Sequence, residues 1–203
     1  MKRIFTISLM IFAVITLNSC KKAKKEEVKT TTKGYTIDAK TTSINWIAYK
    51  TTNKVPVKGK FTEITLNQEK SATPIDALNS VKFSIPVASI FTKDTIRDAK
   101  LKKFFFGKMV TTDNITGSFA LKNDNTGSLM LTMNGITKEL PVIYVIKDQL
   151  VTIDGTLNLD NWQAQAALKA LDIACKDLHS GKDGISKTWS EVKIEAATYL
   201  KVE

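Results

Sequence analysis

The side chains of this 203-residue sequence that invite a chemical role are two thiols, one imidazole and two aspartates around an arginine. Nucleophilic catalysis needs a base beside its nucleophile, as in Ser-His-Asp and Cys-His arrangements. The sole histidine, His179, stands in His179-Ser180-Gly181-Lys182-Asp183-Gly184, which is loop composition, and reads as a surface residue. A nucleophilic constellation would need it beside Cys175, four residues earlier at what reads as the same helix end, which supports nucleophilic catalysis poorly. Asp94 and Asp98 flank Arg97 in the pattern of a cap and an ion pair around a short helix rather than of paired catalytic carboxylates. No His/Cys cluster has metal-ligand spacing and no glycine-rich phosphate loop is present. The expectation is a protein that is not an enzyme and carries no metal and no cofactor.

Cys20 is the thiol with a chemistry of its own. Lys2 and Arg3 form a charged start, Ile4 to Thr16 an apolar stretch, and Leu17-Asn18-Ser19-Cys20 a small-residue cleavage site. This resembles a bacterial lipobox, in which the chain is cut before the cysteine and its thiol carries a diacylglycerol. The apolar stretch is too short to span a bilayer comfortably and is followed by lysines, so a retained membrane helix is the weaker reading. Residues 1–19 are therefore expected to be a signal peptide and residues 20–33 a lipidated, lysine-rich tether. Residues 34–203 form one domain. The expected location is the bacterial cell envelope, anchored to a membrane through lipid, on the periplasmic face or in the outer membrane with either face open.

Charge follows the same division. The sequence has a formal net charge of +10, and residues 1–19 remove only Lys2 and Arg3. The tether holds Lys21, Lys22, Lys24, Lys25, Lys29 and Lys33 against Glu26 and Glu27, half of the remaining excess. The domain is only mildly basic, which argues against a nucleic-acid partner. The tether lysines read as a solvated spacer, with contact to anionic lipid headgroups as the other use. With Cys20 acylated, Cys175 has no disulfide partner in the chain. Ala164, Ala167, Leu168, Leu171, Ala174, Cys175 and Leu178 follow the spacing of an amphipathic helix over 164–178, which puts the second thiol on an apolar stripe as a packed residue.

The rest reads as strands. Residues 34–160 are rich in Thr, Val, Ile, Phe and Tyr, in short runs separated by Gly, Asn and Asp. Eight strands are expected at 35–50, 55–67, 79–90, 108–122, 127–134, 136–147, 149–160 and 187–201. Asn134-Gly135, Lys147-Asp148 and the run Asn123 to Gly127 serve as tight turns. Val81, Phe83, Ile85 and Val87 alternate with polar neighbours, as do Val192, Ile194 and Ala196, so one face is dry. The strands near Leu129, Met130, Leu131 and Met133, and near Leu140, Val142, Ile143, Tyr144 and Val145, are apolar on both parities. The helix at 164–178 is expected to cover that second face. Eight antiparallel strands with a dry face form a sandwich or close on themselves, and closure removes the edges. The expected fold is an all-β, eight-stranded antiparallel barrel with one or two short helices, its interior either filled by side chains or open to one small ligand.

Several segments together resemble the YceI-like family, a lipocalin-shaped periplasmic group associated with isoprenoid lipids. They are Tyr35-Thr36-Ile37-Asp38, Ser43-Ile44-Asn45-Trp46, Val57-Lys58-Gly59-Lys60-Phe61 and Val87-Ala88-Ser89-Ile90-Phe91-Thr92. Two more carry most of the likeness: Ile96-Arg97-Asp98-Ala99-Lys100-Leu101-Lys102-Lys103-Phe104-Phe105, and Met133-Asn134-Gly135-Ile136-Thr137-Lys138. The resemblance implies a barrel around a long apolar tunnel that takes an isoprenoid or other long-chain lipid such as a quinone tail. The ligand-binding residues expected to line it are Trp46, Phe61, Phe83, Ile85, Val87, Phe105, Leu129, Leu131, Met133, Leu140, Val142, Tyr144, Val192 and Ile194. Members of the family often carry histidines where this sequence has Tyr49 or Lys50, Lys100 and Asn134, so head-group contacts made by such histidines do not transfer. Phe104-Phe105-Phe106 reads equally as the lip of a tunnel or as a plug, and Trp46, Trp162 and Trp189 as interior packing. The alternatives are a structural or interaction lipoprotein with a filled barrel and, third, a lipid-modifying enzyme. Nothing in the sequence names a protein partner.

Overall fold

The computed structural model describes residues 33–111 and 113–203, so the expected signal peptide, tether and Cys20 lie outside the described residues. In chain order, β1 (Tyr35–Ile37) leads through a turn capped by Asp38 into β2 (Ser43–Lys50), β3 (Val55–Phe61) and β4 (Thr65–Asn67). Helix α1 (Pro74–Ser80) follows, then β5 (Lys82–Pro86), β6 (Ile90–Phe91) and α2 (Thr95–Lys100). A π turn over Leu101–Phe105 and a 3-10 turn over Phe106–Lys108 extend α2. Then come β7 (Asn114–Leu121), β8 (Thr126–Met133), β9 (Ile136–Lys147) and β10 (Leu150–Asn158). A short turn over Leu159–Trp162 precedes α3 (Gln165–Ala174) and α4 (Lys176–His179), and β11 (Thr188–Val202) closes the chain.

All eleven strands of the described residues belong to one antiparallel sheet in the order β4-β5-β7-β8-β9-β10-β11-β2-β3-β6, with β1 added to the end of β11. This exceeds the eight expected, and the reason is bending. Lys60 and Phe61 of β3 pair with Phe91 and Ile90 of β6, while Leu66 of β4 pairs with Phe83 of β5. Between them the Thr62 amide and hydroxyl both donate to the Ser89 carbonyl, at 3.0 and 3.1 Å. The chain from 55 to 67 is thus one bent strand lying against a second, from 82 to 91. Counting each bent pair once and setting β1 aside turns eleven into eight. The two ends of this order are joined through the chain itself, so that among the described residues the sheet closes without a long free edge.

Turn chemistry explains the hairpins. Asn134 and Gly135 both have positive φ, 53° and 68°, the I′ conformation whose twist matches the flanking strands. The Asn134 side chain also accepts from the Val110 amide at 2.7 Å and donates to the Trp162 carbonyl at 2.8 Å, tying three segments together.

Three expectations fail. Residues 79–81 are the end of α1 and its exit, not a strand start: Thr73 accepts from the Asp76 amide at 3.1 Å and Pro74 fills the first turn, which suffices to start a helix. Residues 108–113 precede β7 rather than belong to it, because the helical run from α2 continues to Lys108. Helix α3 does not cover the outer face of β9. Ile143 and Val145 stay 63% and 56% exposed there, and Met130 on β8 is exposed too. Branched side chains suit a pleated surface whether or not it is covered, so their presence did not call for a second layer.

The core runs along the barrel interior and both ends are stoppered. Ala77 and Leu78 of α1 are fully buried at one end. At the other, Ala167 and Leu171 of α3 pack with Phe105 and Phe106. The π turn shifts the helical phase so that these two phenylalanines both face inward, their rings 4.9 Å apart, while Phe104 lies half-buried under Lys103.

Candidate functional site

Strand parity builds the interior. On β2 the residues Ile44, Trp46, Ala48 and Lys50 share one face, and across β11 they meet Ala196, Ile194, Val192 and Thr188. On the other side Trp46 faces Gly59 of β3. A Cβ at Gly59 would stand 2.1 Å from the indole, so the glycine is what lets this ring lie across the neighbouring strand. The Trp46 Nε1 is buried and has no hydrogen-bond partner among the described residues. The other two indoles are satisfied: Trp162 donates to the Leu131 carbonyl at 3.0 Å and Trp189 to the Thr51 carbonyl at 2.8 Å.

Four cavities follow one another along this interior. The innermost, about 40 Å³, sits against Leu78 and Val81. It shares Thr42, Ile64, Phe119, Ile153 and Ala196 with a central cavity of about 120 Å³. That one shares Phe61, Ile115, Met133, Leu157 and Ile194 with a third of about 110 Å³, walled also by Phe105, Phe106, Leu168 and Leu171. The third shares Trp46, Ala48, Leu101, Leu171 and Thr188 with a mouth cavity of about 180 Å³. The larger three each far exceed the roughly 10–15 Å³ that admits one water. The inner three present only apolar surface, so water gains nothing there. The barrel is neither solid nor an open tube, but a run of apolar chambers, with side chains such as Met133 and Phe61 standing between neighbouring ones.

The mouth differs in kind. Its wall combines Trp46, Ala48, Val57 and Leu101 with Lys50, Arg97, Lys100, Asp94 and His179. Ile96 and Leu178 on its rim are 70% and 59% exposed. The Lys50 ammonium donates to the Leu178 carbonyl at 2.9 Å and that of Lys100 to the Ala174 carbonyl at 3.2 Å, each at a helix C-terminus where a cation is favoured. Asp94 caps α2 by accepting from the Ile96 and Arg97 amides at 3.1 and 3.0 Å, and Arg97 pairs with it at 3.4 Å. The Arg97 amide and guanidinium hold this carboxyl below its usual range. Asp98 is buried and accepts from Thr92 through both amide and hydroxyl. The aspartates are thus the cap and helix supports that the sequence indicated.

His179 is not the surface loop residue expected. It ends α4 with its side chain only 12% exposed, Nδ1 lying 2.7 Å from the Thr188 hydroxyl and 3.4 Å from Asp172. Asp172 also accepts from the Ser186 and Thr188 hydroxyls, both at 2.9 Å, and so latches α3 to the start of β11. Burial lowers the imidazole pKa and outweighs the neighbouring carboxylate, which makes the contact a hydrogen bond between a neutral ring and its partners. Cys175 is buried beside the mouth, and burial raises its thiol pKa. Leu178 departs from the apolar stripe because the backbone breaks at Cys175, with φ −122° and ψ 18°, and α4 restarts in a new phase.

Most of the residues nominated as ligand contacts do wall these cavities. Phe83, Ile85, Leu129, Leu131, Leu140 and Val142 surround the central one, Phe105 and Val192 the third, Phe61, Met133 and Ile194 both, and Trp46 the third and the mouth. Val87 and Tyr144 are buried and line none of these four cavities; Val87 sits in the turn between β5 and β6, and the Tyr144 hydroxyl donates to the Lys122 carbonyl. Leu101, Leu157, Leu168 and Leu171 were not nominated. The helical stripe did carry the last two, but they enter the barrel end instead of lying over its outside.

The comparisons agree on the architecture. The YceI-like domain model matches residues 35–198. A solved polyisoprenoid binding domain from Saccharophagus degradans, described as implicated in plant cell wall breakdown, superposes with a TM-score of 0.59 at 14% identity, covering 83% of this chain and 98% of that one. Burkholderia cenocepacia BcnA superposes with a TM-score of 0.53 at 18% identity, covering 81% and 99%. At these identities the likeness carries the fold. A search of the curated proteins finds no match.

Proposed function

Given that the chain belongs to the YceI-like domain family, we propose that its barrel holds the tail of an isoprenoid or similar long-chain lipid and performs no bond-making of its own. The observation that carries this reading is the axial run of apolar cavities, sealed by α1 at one end and opening between α2 and α4 at the other. A tail of trisubstituted alkenes needs area rather than charge, at about 25 cal/mol per Å² of apolar surface removed from water. The walls supply that area. The likeness to the polyisoprenoid binding domain from Saccharophagus degradans supports the same ligand class here.

The same reading extends to the cell. We propose that residues 1–19 are removed, that Cys20 is acylated, and that the tether places the barrel beside a membrane of the bacterial envelope from which a lipid tail can be taken up. The supporting observation is the order of charged start, apolar stretch and cysteine in residues 2–20.

The test is a ladder of isoprenoid alcohols of increasing length, offered to the purified domain in mild detergent. Affinity should climb with each added isoprene until the chambers are occupied and then level off. An affinity independent of length sinks the tail reading, because area is then not what is recognised.

A further inference from the structure

We propose that the outer surface of the mouth end of the barrel docks on an anionic phospholipid bilayer. This goes beyond the tail reading and does not depend on it. Strand direction gathers the surface: β2 and β10 end here and β11 begins here, so the turn at 51–54, the loop at 180–187 and helices α3 and α4 lie together. Lys100 ties the run from α2 to Lys108 to the same end by donating to the Ala174 carbonyl. Among the described residues the three most exposed large aliphatic side chains, Ile96, Ile173 and Val110, all belong to this end, and the exposed Leu178 and Ile185 join them. Ile173 lies on the side of α3 away from Ala167 and Leu171, and so faces out from the barrel. The loop that carries Ile185 is tied to the turn beside it, with Thr52 donating to Asp183 at 2.7 Å and the Thr51 amide to the Lys187 carbonyl at 2.8 Å.

Cations stand among these side chains. From Lys93 to Lys108 the sequence holds six basic residues and two aspartates. Both aspartates are engaged within the fold, Asp94 as the cap of α2 and Asp98 as the acceptor of Thr92. Lys93, Lys102, Lys103 and Lys108 are exposed, as is Lys169 on the same face of α3 as Ile173. Asp172 and Asp183 accept from hydroxyls of the fold, and the exposed acids left at this end are Asp113, Asp160 and Asp177. Aliphatic side chains set among lysines suit a membrane surface, the first entering the acyl boundary while the second meet the headgroups. Each lysine near an anionic surface strengthens partition by about fivefold. A second copy of the chain is the poorer occupant, because a two-fold contact would set this cation-rich face against itself. The tether also permits the contact. It joins the opposite end of the barrel, where β1 pairs with the end of β11, and its residues 20–33 reach at most about 45–50 Å when extended. The fifteen residues of β11, tilted as barrel strands are, cover only about 35–40 Å of the axis. An acyl chain on Cys20 and the mouth can therefore meet one bilayer.

The experiment is co-sedimentation of the chain from residue 20, carrying Cys20→Ser so that no acyl group contributes, with vesicles of phosphatidylcholine alone or with about 30% phosphatidylglycerol. The anionic vesicles should bind it at least about tenfold more strongly than the neutral ones, and less so as salt rises from about 0.05 to 0.5 M. Combining Lys93→Gln, Lys102→Gln and Lys103→Gln should weaken binding at least about tenfold, and Ile96→Ser with Ile173→Ser at least about fivefold. Ile143→Ser with Val145→Ser removes an exposed aliphatic pair from the outer sheet face instead, and should leave binding within about twofold of the parent. A thermal melt of each variant should match the parent, since all these side chains are exposed. Binding kept in full by the lysine and isoleucine variants assigns it to the tether lysines and overturns the docking surface. So does a loss as large in the sheet-face variant, or a parent that ignores anionic vesicles. The vesicles hold no isoprenoid, so each of these failures leaves the tail reading where it stands.

Discussion

Ala48 is the most informative place to perturb the barrel, because its methyl group stands at the neck between the mouth cavity and the third one. Ala48→Leu adds three carbons where about 110 and 180 Å³ of empty space meet. Burying them gains at most about 2.4 kcal/mol, at about 0.8 kcal/mol per methylene, and fixing the new rotamer returns about 0.5–1 kcal/mol. The variant should therefore be as stable as the parent or up to about 2 kcal/mol more stable. The tail suffers far more. Each isoprene kept out of the inner chambers forfeits up to about 4 kcal/mol of burial, more than a hundredfold in affinity. A denaturant melt and a lipid titration on the same preparation separate the two quantities. A filled core predicts the reverse pattern, an overpacking loss of about 1–3 kcal/mol with no ligand to lose. Unchanged lipid affinity together with a stability loss of that size would refute the neck and with it the axial path.

Three further outcomes follow from named residues. Cys20→Ser should move the protein from the membrane to the soluble fraction on detergent partitioning, and a variant retained as fully as the parent contradicts acylation as the anchor. Cys175, buried with its thiol pKa raised by burial, should resist a maleimide in the folded protein and react once denaturant is added; rapid native labelling contradicts its packing. His179 has a folded pKa below the ordinary 6.5, so the unfolded chain takes up its proton first and acidification favours unfolding. Its contribution is complete above pH 6.5 and is lost as the pH falls from there through the folded value, so melts between pH 7 and 5 should show a steeper decline in the parent than in His179→Gln. Parallel declines would remove His179 from that account.

Much of the architecture was legible in the sequence. Alternation in Val81 to Val87 and in Val192 to Ala196 reports a dry face directly, and Asn134-Gly135 announces its own turn. What periodicity did not reveal is where a strand bends. Residues 62–64 and 87–89 break the ladder without glycine-rich turn signals, so each bent strand read as one straight run. Nor does an amphipathic stripe say which surface it meets. Leu168 and Leu171 carried the right period, but only the closed sheet shows that the open barrel end is the apolar surface left to cover. The mouth was the least legible part. Lys50, Arg97 and Lys100 are unremarkable in a lysine-rich chain, and their convergence depends on the β2–β11 register and on α2 lying beside α3.

The most direct test of the tail reading is to express the full chain in a bacterial host, purify it in mild detergent without denaturation, extract it with organic solvent and weigh what comes out by mass spectrometry. The account predicts an isoprenoid lipid near one per protein, recovered in that amount from the parent and strongly depleted from Ala48→Leu. Extracts that contain only bulk membrane lipid, equal in the two proteins, would contradict it.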